Sequence, residues 1–495
     1  MITRYSHVVT VVVIALASHL VNAQNRAGWV QNPPENAVYL QQQSQQPTVS
    51  QSRPIYFPQG QTINPARVST APPPPAPSFS QGQTKFQYDA ASFAVTELAR
   101  QVGAVLGQQS NAGVFSPVSI ACALSLLLLG ARDETRRELM QVLNFNPNDQ
   151  DPNGIHRQYG RLLQEIASTA PDAIPVAWRR NDRCSDEDDD DYKQESQITH
   201  LANAVFVQKD LKIDNSFIHW SRAFYNSSIK NLDFANNPQK SAFQINRWAH
   251  ENTFGKISQI VPNSVNPDTQ MIVANALYFK GLWKEVFEKQ ATGYKKFYPD
   301  GHANPSTAKD VLTMAAIGCF PYFDSPQYDA RIVGLPYQGD KTALYIIIPN
   351  NSSRQRMQQF QQRLTAKDIG AMVSQMTVRK ALVQIPKMKI SNTINLRDVL
   401  QKLRLRTIFS PSTSNLSAML DNSSGHERLY ASEIIHKVEL DVNEVGTEGG
   451  AITASTIFRS LPSVQIRVDT PFLMLVGHDA TRLPLFYGSI YDPTG

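Results

Sequence analysis

Residues 444–461 read EVGTEGGAITASTIFRSL. The segment opens on an acidic residue, passes through small uncharged side chains and ends in an Arg459-Ser460 bond just ahead of Pro462. Side chains alternate between the two faces of an extended strand. Thr447, Gly449, Ala451, Thr453, Ser455 and Ile457 therefore form one face without charge, while Glu448, the only charge between Thr447 and Phe458, lies on the other. The composition describes an exposed, cleavable segment that can afterwards enter a β-sheet.

The rest of the 495-residue chain sets the frame. It is 41% hydrophobic and 18% charged, enough for a large core in one or two domains. A net charge of +5, with no basic run interleaved with aromatics, gives no reason to expect nucleic acid. Arg4, the apolar stretch 8–17 and the small-residue site Val21-Asn22-Ala23 read as a signal peptide over residues 1–23. That run is too short to span a bilayer, so no membrane attachment is expected. Residues 24–85, with QQQSQQP and PPPPAP, cannot bury enough apolar surface to offset ordering entropy and read as a disordered arm.

Residues 86–495 are globular in composition, interrupted at 171–197 by a stretch holding Trp178-Arg179-Arg180 and SDEDDDDYKQE. Closely packed like charges repel, so this insert reads as a solvated surface loop, with Arg179-Arg180 a conceivable processing site. Cys122, inside an apolar run, reads as a buried thiol. Cys184, in polar surroundings, reads as free or intermolecularly paired, because three widely spaced cysteines form no disulfide framework. Sequons at Asn226, Asn350, Asn351, Asn415 and Asn422 agree with secretion. Helical periodicity marks 93–105, 120–129 and 155–167; strand-like runs mark 202–207, 269–279, 342–349, 379–390, 464–468, 472–477 and 485–491. Irregular mixing of the two points to an α+β domain. Motifs for hydrolase, metalloprotease and phosphate-binding chemistry are missing from the sequence, and its ten histidines show no metal-ligand spacing.

Six segments in order, VFSPVSI (114–120), LANAVFVQ (201–208), INRWAHENTFGKISQIV (245–261), ANALYFKGLWKEVF (274–287), ASEIIHKVELDVNEVGTEGGA (431–451) and DTPFLMLVGHDATRLPLFYGSI (469–490), make the chain similar to the serpins over almost all of residues 86–493. The resemblance implies three β-sheets, eight to nine helices and an exposed reactive loop, here 444–470. It implies no enzyme, but suicide inhibition: a serine protease acylated on the loop and trapped as the cut loop inserts into the central sheet. Matching positions imply a hinge of Glu444, Gly446, Thr447, Gly449, Gly450, Ala451 and Ile452, with two glycines where the family favours alanine. They further imply a shutter of Ser116, Pro117, Ser119, Asn246 and His436, and a sheet opening, the breach, marked by Asn275 and Trp283.

For the cut itself, Arg459-Ser460 suits a trypsin-like protease, whereas family spacing from Glu444 lands on Ser460-Leu461, suited to an elastase-like one; Phe458 would suit a chymotrypsin-like one. Some serpins bind glycosaminoglycans on the helix that here carries His156, Arg157 and Arg161; otherwise no cofactor or metal is expected. The partner expected is a trypsin-like protease captured by a monomer in an extracellular cascade of immunity or melanisation. A non-inhibitory carrier, storage protein or chaperone is the alternative reading.

Overall fold

A computed structural model describes residues 90–148, 151, 153–168, 177–180, 184, 197–339, 341–421, 428–447 and 462–494. The chain divides into two units, Met1–Gly82 and Gln83–Gly495, and all described residues belong to the second. The expected signal peptide and arm lie outside them, as do Gly449, Gly450, Ala451, Ile452, Phe458, Arg459, Ser460 and Leu461.

Helices α1 (Ala90–Leu106), α2 (Pro117–Gly130), α3 (Asp133–Val142) and α4 (Gly154–Ala167) come first, with a single turn, α5 (Ala177–Arg180), in the connection after them. Ser116 caps α2 through its hydroxyl, which accepts the Ser119 N–H, and Pro117 follows with its φ preset for the first turn. Every residue of α2 except Leu129 is buried, which explains a run with no polar face. Strands β1 (Ile198–Gln208), β2 (Ser228–Leu232) and β3 (Met271–Leu282) alternate with α6 (Asn215–Tyr225) and α7 (Pro238–Glu251). Then come β4 (Gly293–Phe297), β5 (Lys309–Ser325), β6 (Ala330–Pro336), β7 (Thr342–Pro349), α8 (Arg354–Arg363) and α9 (Ala366–Ser374). The chain finishes with β8 (Thr377–Pro386), β9 (Met388–Asn395), α10 (Arg397–Lys402), β10 (Glu433–Val442), β11 (Gly446–Thr447), β12 (Val464–Arg467), β13 (Phe472–His478) and β14 (Leu483–Ile490).

Two sheets result. One runs β2-β1-β3-β11-β10-β9; the other runs β12-β8-β5-β6-β7-β13-β14, with β4 paired to β5. Two of the three sheets expected are joined because β5 is 17 residues long: it pairs with β4 and β8 over most of its length and with β6 at its end. α1 and α2 pack on β14, and α7 covers the other face of the first sheet through Ile245 and Trp248 against Phe206 and Ile272. Among the described residues no helix is long and apolar enough to cross a membrane.

Of the insert, residues 177–180, 184 and 197 are described, and the acidic run that suggested a solvated loop lies outside them. Trp178 is buried and its indole N–H donates to the Tyr345 hydroxyl at 3.3 Å. Arg179 pairs with Asp479 at 2.6 Å, out of water, so it is no open processing site. Cys184 is bonded to Cys319 of β5 rather than free or paired between molecules, which corrects that expectation. Cys122 is free and buried, as expected.

Candidate functional site

At its upper end the first sheet is parted. β3 and β10 pair directly in parallel from Ile272–Glu433 to Leu277–Val438, and among the described residues no pairing joins them beyond that. In the opening sits β11: Gly446 pairs with Leu282, and Thr447 with Gly281 on one side and Val442 on the other. The chain leaves β10, turns over residues 443–446 and starts back down between the two strands.

Asn443 organises that turn. Its side-chain oxygen accepts the N–H groups of Val445 (3.1 Å) and Gly446 (3.4 Å), and its carbonyl accepts the Trp283 indole N–H at 2.8 Å. Gly446 admits no side chain, because a Cβ there would come within 2.1 Å of the Gly281 carbonyl oxygen. Thr447 is fully buried and its hydroxyl meets the Tyr337 hydroxyl at 2.8 Å. Tyr337 is stacked on Trp283 with centroids 4.4 Å apart, and burial raises its phenol above the ordinary range. Glu444 is held by the Lys387 ammonium (2.8 Å) and the Thr292 hydroxyl (3.1 Å). Burial pushes that carboxyl up, but the bonds from Lys387 and Thr292 prevail and leave it below its usual range.

Further down, His436 of β10 is completely buried. Its Nε2 accepts the Ser116 N–H at 2.8 Å, so the proton is on Nδ1, which donates to Asn275 Oδ1. Loss of hydration lowers its pKa to about 3, and the ring is neutral. Among the described residues the buried Asn275 amide nitrogen and Ser119 hydroxyl have no hydrogen-bond partner.

This arrangement redistributes two predicted residues. Asn275 belongs with His436 and Ser116, not with Trp283, which stands eight residues on, just past the end of β3, beside the hinge. Asn246 lies on α7 and binds the Ile260 and Val261 N–H groups (2.8 and 2.9 Å) instead of joining the histidine. Glu444, Gly446, Thr447 and Trp283 do converge. Sequence reasoning missed Asn443, Lys387, Tyr337 and Thr292. Of these, Asn443 alone carries a local signal, an asparagine opening a tight turn.

Each basic residue on α4 has a partner. His156 is buried against the Tyr225 hydroxyl (2.6 Å), and burial lowers its pKa to about 4. Arg157 pairs with Asp151 at 2.5 Å and Arg161 with Glu165 at 3.0 Å, both in surface ion pairs that leave half or more of each arginine side chain exposed. Of the sequons, Asn226 and Asn351 are exposed, while the amide nitrogens of Asn350 and Asn415 bind Asp329 and Asp133; Asn422 lies outside the described residues. Among the described residues no cluster of three metal-ligating side chains occurs.

The family model described as "Serpin (serine protease inhibitor)" matches residues 91–493. "Serine protease inhibitor 28Dc" of Drosophila melanogaster is 33% identical over 426 residues, covering 79% of this chain and 77% of that protein. "Iris" of the tick Ixodes ricinus is 31% identical over 393 residues, covering 78% and 94%. In structure, thyroxine-binding globulin in complex with thyroxine superposes with a TM-score of 0.68 at 21% identity, covering 82% of this chain and 99% of that one, which speaks for the fold alone. A family match over four-fifths of the sequence, on a sheet parted where the chain begins to re-enter it, means that the protein belongs to the serpins, a family of protease inhibitors.

Proposed function

We propose that the protein is a secreted inhibitor of trypsin-like serine proteases that traps them covalently through insertion of its cut reactive loop. The observation that carries this reading is Thr447, already seated between β3 and β10. Continuing its register sets residue 453 opposite Asn275 on one side and His436 on the other, and residue 457 opposite Met271. Directly opposed residues share a face of the sheet, so the Thr453 hydroxyl would arrive beside the unpartnered amide nitrogen of Asn275. Glu444, Gly446 and Thr447 act as the hinge, Asn275, His436 and Ser116 as the polar seam that parts, and Trp283 with Tyr337 as the roof of the entry point. Gly449, Gly450 and Ala451 then enter with no bulk to obstruct them.

In the reaction the protease serine oxygen bonds to the Arg459 carbonyl carbon, and the bond to the Ser460 nitrogen breaks as that amine takes a proton. Insertion then carries the ester away before water hydrolyses it. Cleavage at Ser460-Leu461 or after Phe458 would redirect the inhibitor to an elastase-like or chymotrypsin-like protease. The alternative of a carrier or storage role is disfavoured by residues 447–455, which hold no proline and no aromatic side chain. An extracellular cascade of immunity or melanisation fits the likeness to fly and tick relatives.

Mixing with trypsin and separating on a denaturing gel tests the mechanism. A covalent band is expected, with a released fragment whose mass begins at Ser460. Cleavage without that band, and without a gain in heat stability, would establish the carrier reading instead; a fragment beginning at Leu461 would overturn Arg459.

A further inference from the structure

Between β4 and β12 lies a recess of about 250 Å³ whose walls include Lys295, Lys296, Gln384, Arg467 and Asp469. The strands meet there through Tyr298 N–H donating to the Asp469 carbonyl at 2.8 Å, and the floor carries the buried Phe297 and Val468. Its cations differ from those on α4. Lys296 is spent on Asp310 (2.9 Å), but among the described residues neither Lys295 nor Arg467 has an ion-pair partner, and the Gln384 amide makes no side-chain hydrogen bond. The one carboxylate on the rim, Asp469, faces His302 at 3.3 Å.

We propose that this recess binds a tetrahedral oxyanion, a sulfate or phosphate group, between Lys295, Arg467 and the Gln384 amide. An ammonium, a guanidinium and a neutral N–H donor converging on a small concave site match the oxygens of such a group, and charge-assisted bonds of this kind are the strong ones. The recess is open to solvent, so the remainder of a larger ligand would lie outside it. β12 starts at Val464 and is held on one side only, by β8. A bound anion therefore adds a link from β4 to the strand that follows the reactive loop. The proposal does not depend on which protease the loop meets.

The test uses the full-length secreted protein, with direct titration of sodium sulfate, sodium phosphate and a sulfated hexasaccharide at constant ionic strength. Thermal midpoints are recorded alongside against sodium chloride. Sulfate stabilises proteins non-specifically by exclusion from their surface, so the comparison that counts is between variants. Binding is expected in the wild type, weakened about tenfold by Lys295→Gln or Arg467→Gln, the loss expected for one bond to a charged group. Arg157→Gln/Arg161→Gln on α4 should leave it unchanged. Tighter binding of the hexasaccharide than of either salt assigns the site to a polysaccharide sulfate; equal or weaker binding assigns it to the free anion. No binding by any probe, or equal binding by wild type and the Lys295→Gln/Arg467→Gln double variant, overturns the proposal.

Discussion

Arg179 and Asp479 are 300 residues apart in sequence and form an ion pair at 2.6 Å in which the two side chains retain only 8% and 4% of their exposure. Asp479 also accepts the Tyr345 hydroxyl at 2.6 Å, and the guanidinium carbon of Arg179 stands 4.6 Å from the Trp178 ring centroid. Removing one partner of such a pair leaves the other charged and dry. Arg179→Ala is therefore expected to cost about 3–5 kcal/mol, measured by chemical denaturation. A loss under about 1 kcal/mol would mean that α5 does not dock in solution.

The Cys184–Cys319 disulfide closes a loop across a separation of 135 residues. Cross-linking a loop of that order is worth roughly 4–5 kcal/mol on the chain-entropy account. Cys184→Ser should accordingly lower the thermal midpoint and add a second free thiol to Cys122 on denaturation. Peptide mapping without reduction should recover the joined peptides. If it finds both cysteines as thiols, the pairing is refuted.

Tyr337→Phe deletes the hydroxyl that meets Thr447 while keeping the stack on Trp283. The expected loss is about 1 kcal/mol, with residues following Thr447 becoming more sensitive to proteolysis. Gly446→Ala is expected to have the larger effect, because its Cβ would press on the Gly281 carbonyl; the same cleavage assay and a thermal scan separate the two.

Acid should act through buried neutral histidines. His436 has a pKa lowered to about 3, and His156 and His478 are each lowered to about 4, in all three chiefly by burial. An unfolded histidine takes up a proton near pH 6.5, so the unfolded state binds more protons between there and the folded values. Stability is therefore full above about pH 6.5 and falls as pH drops toward 4, by up to about 1.4 kcal/mol per pH unit for each ring. His436→Gln should flatten this slope in denaturation curves taken from pH 7 to 4. An unchanged slope would show that His436 does not remain neutral.

Much of the site could be read in the sequence because its residues are close along the chain. Glu444, Gly446 and Thr447 sit within one turn, and the apolar run of α2 permits no environment but a core. What escaped depends on distance. Cys184 and Cys319 look unrelated until the connection after α4 is folded onto β5. Asn246 and Asn275 are both plausible partners for a buried histidine, and only strand register decides: β3 places Asn275 directly opposite His436, whereas α7 sends Asn246 to a neighbouring turn. Lys387 pairs with Glu444 from 57 residues away, where no local pattern could announce it.

The 12 residues of β3 also act as a ruler. A strand advances about 3.3 Å per residue, and residue 459 lies 12 positions beyond Thr447. An inhibitor that inserts its loop along β3 would thus place whatever is attached at Arg459 roughly 40 Å along the sheet from Thr447. That is about the diameter of a small domain or more. In the proposed mechanism the span from Thr447 to Arg459, slightly longer than the reach of β3, sets how far down the sheet a captured enzyme ends.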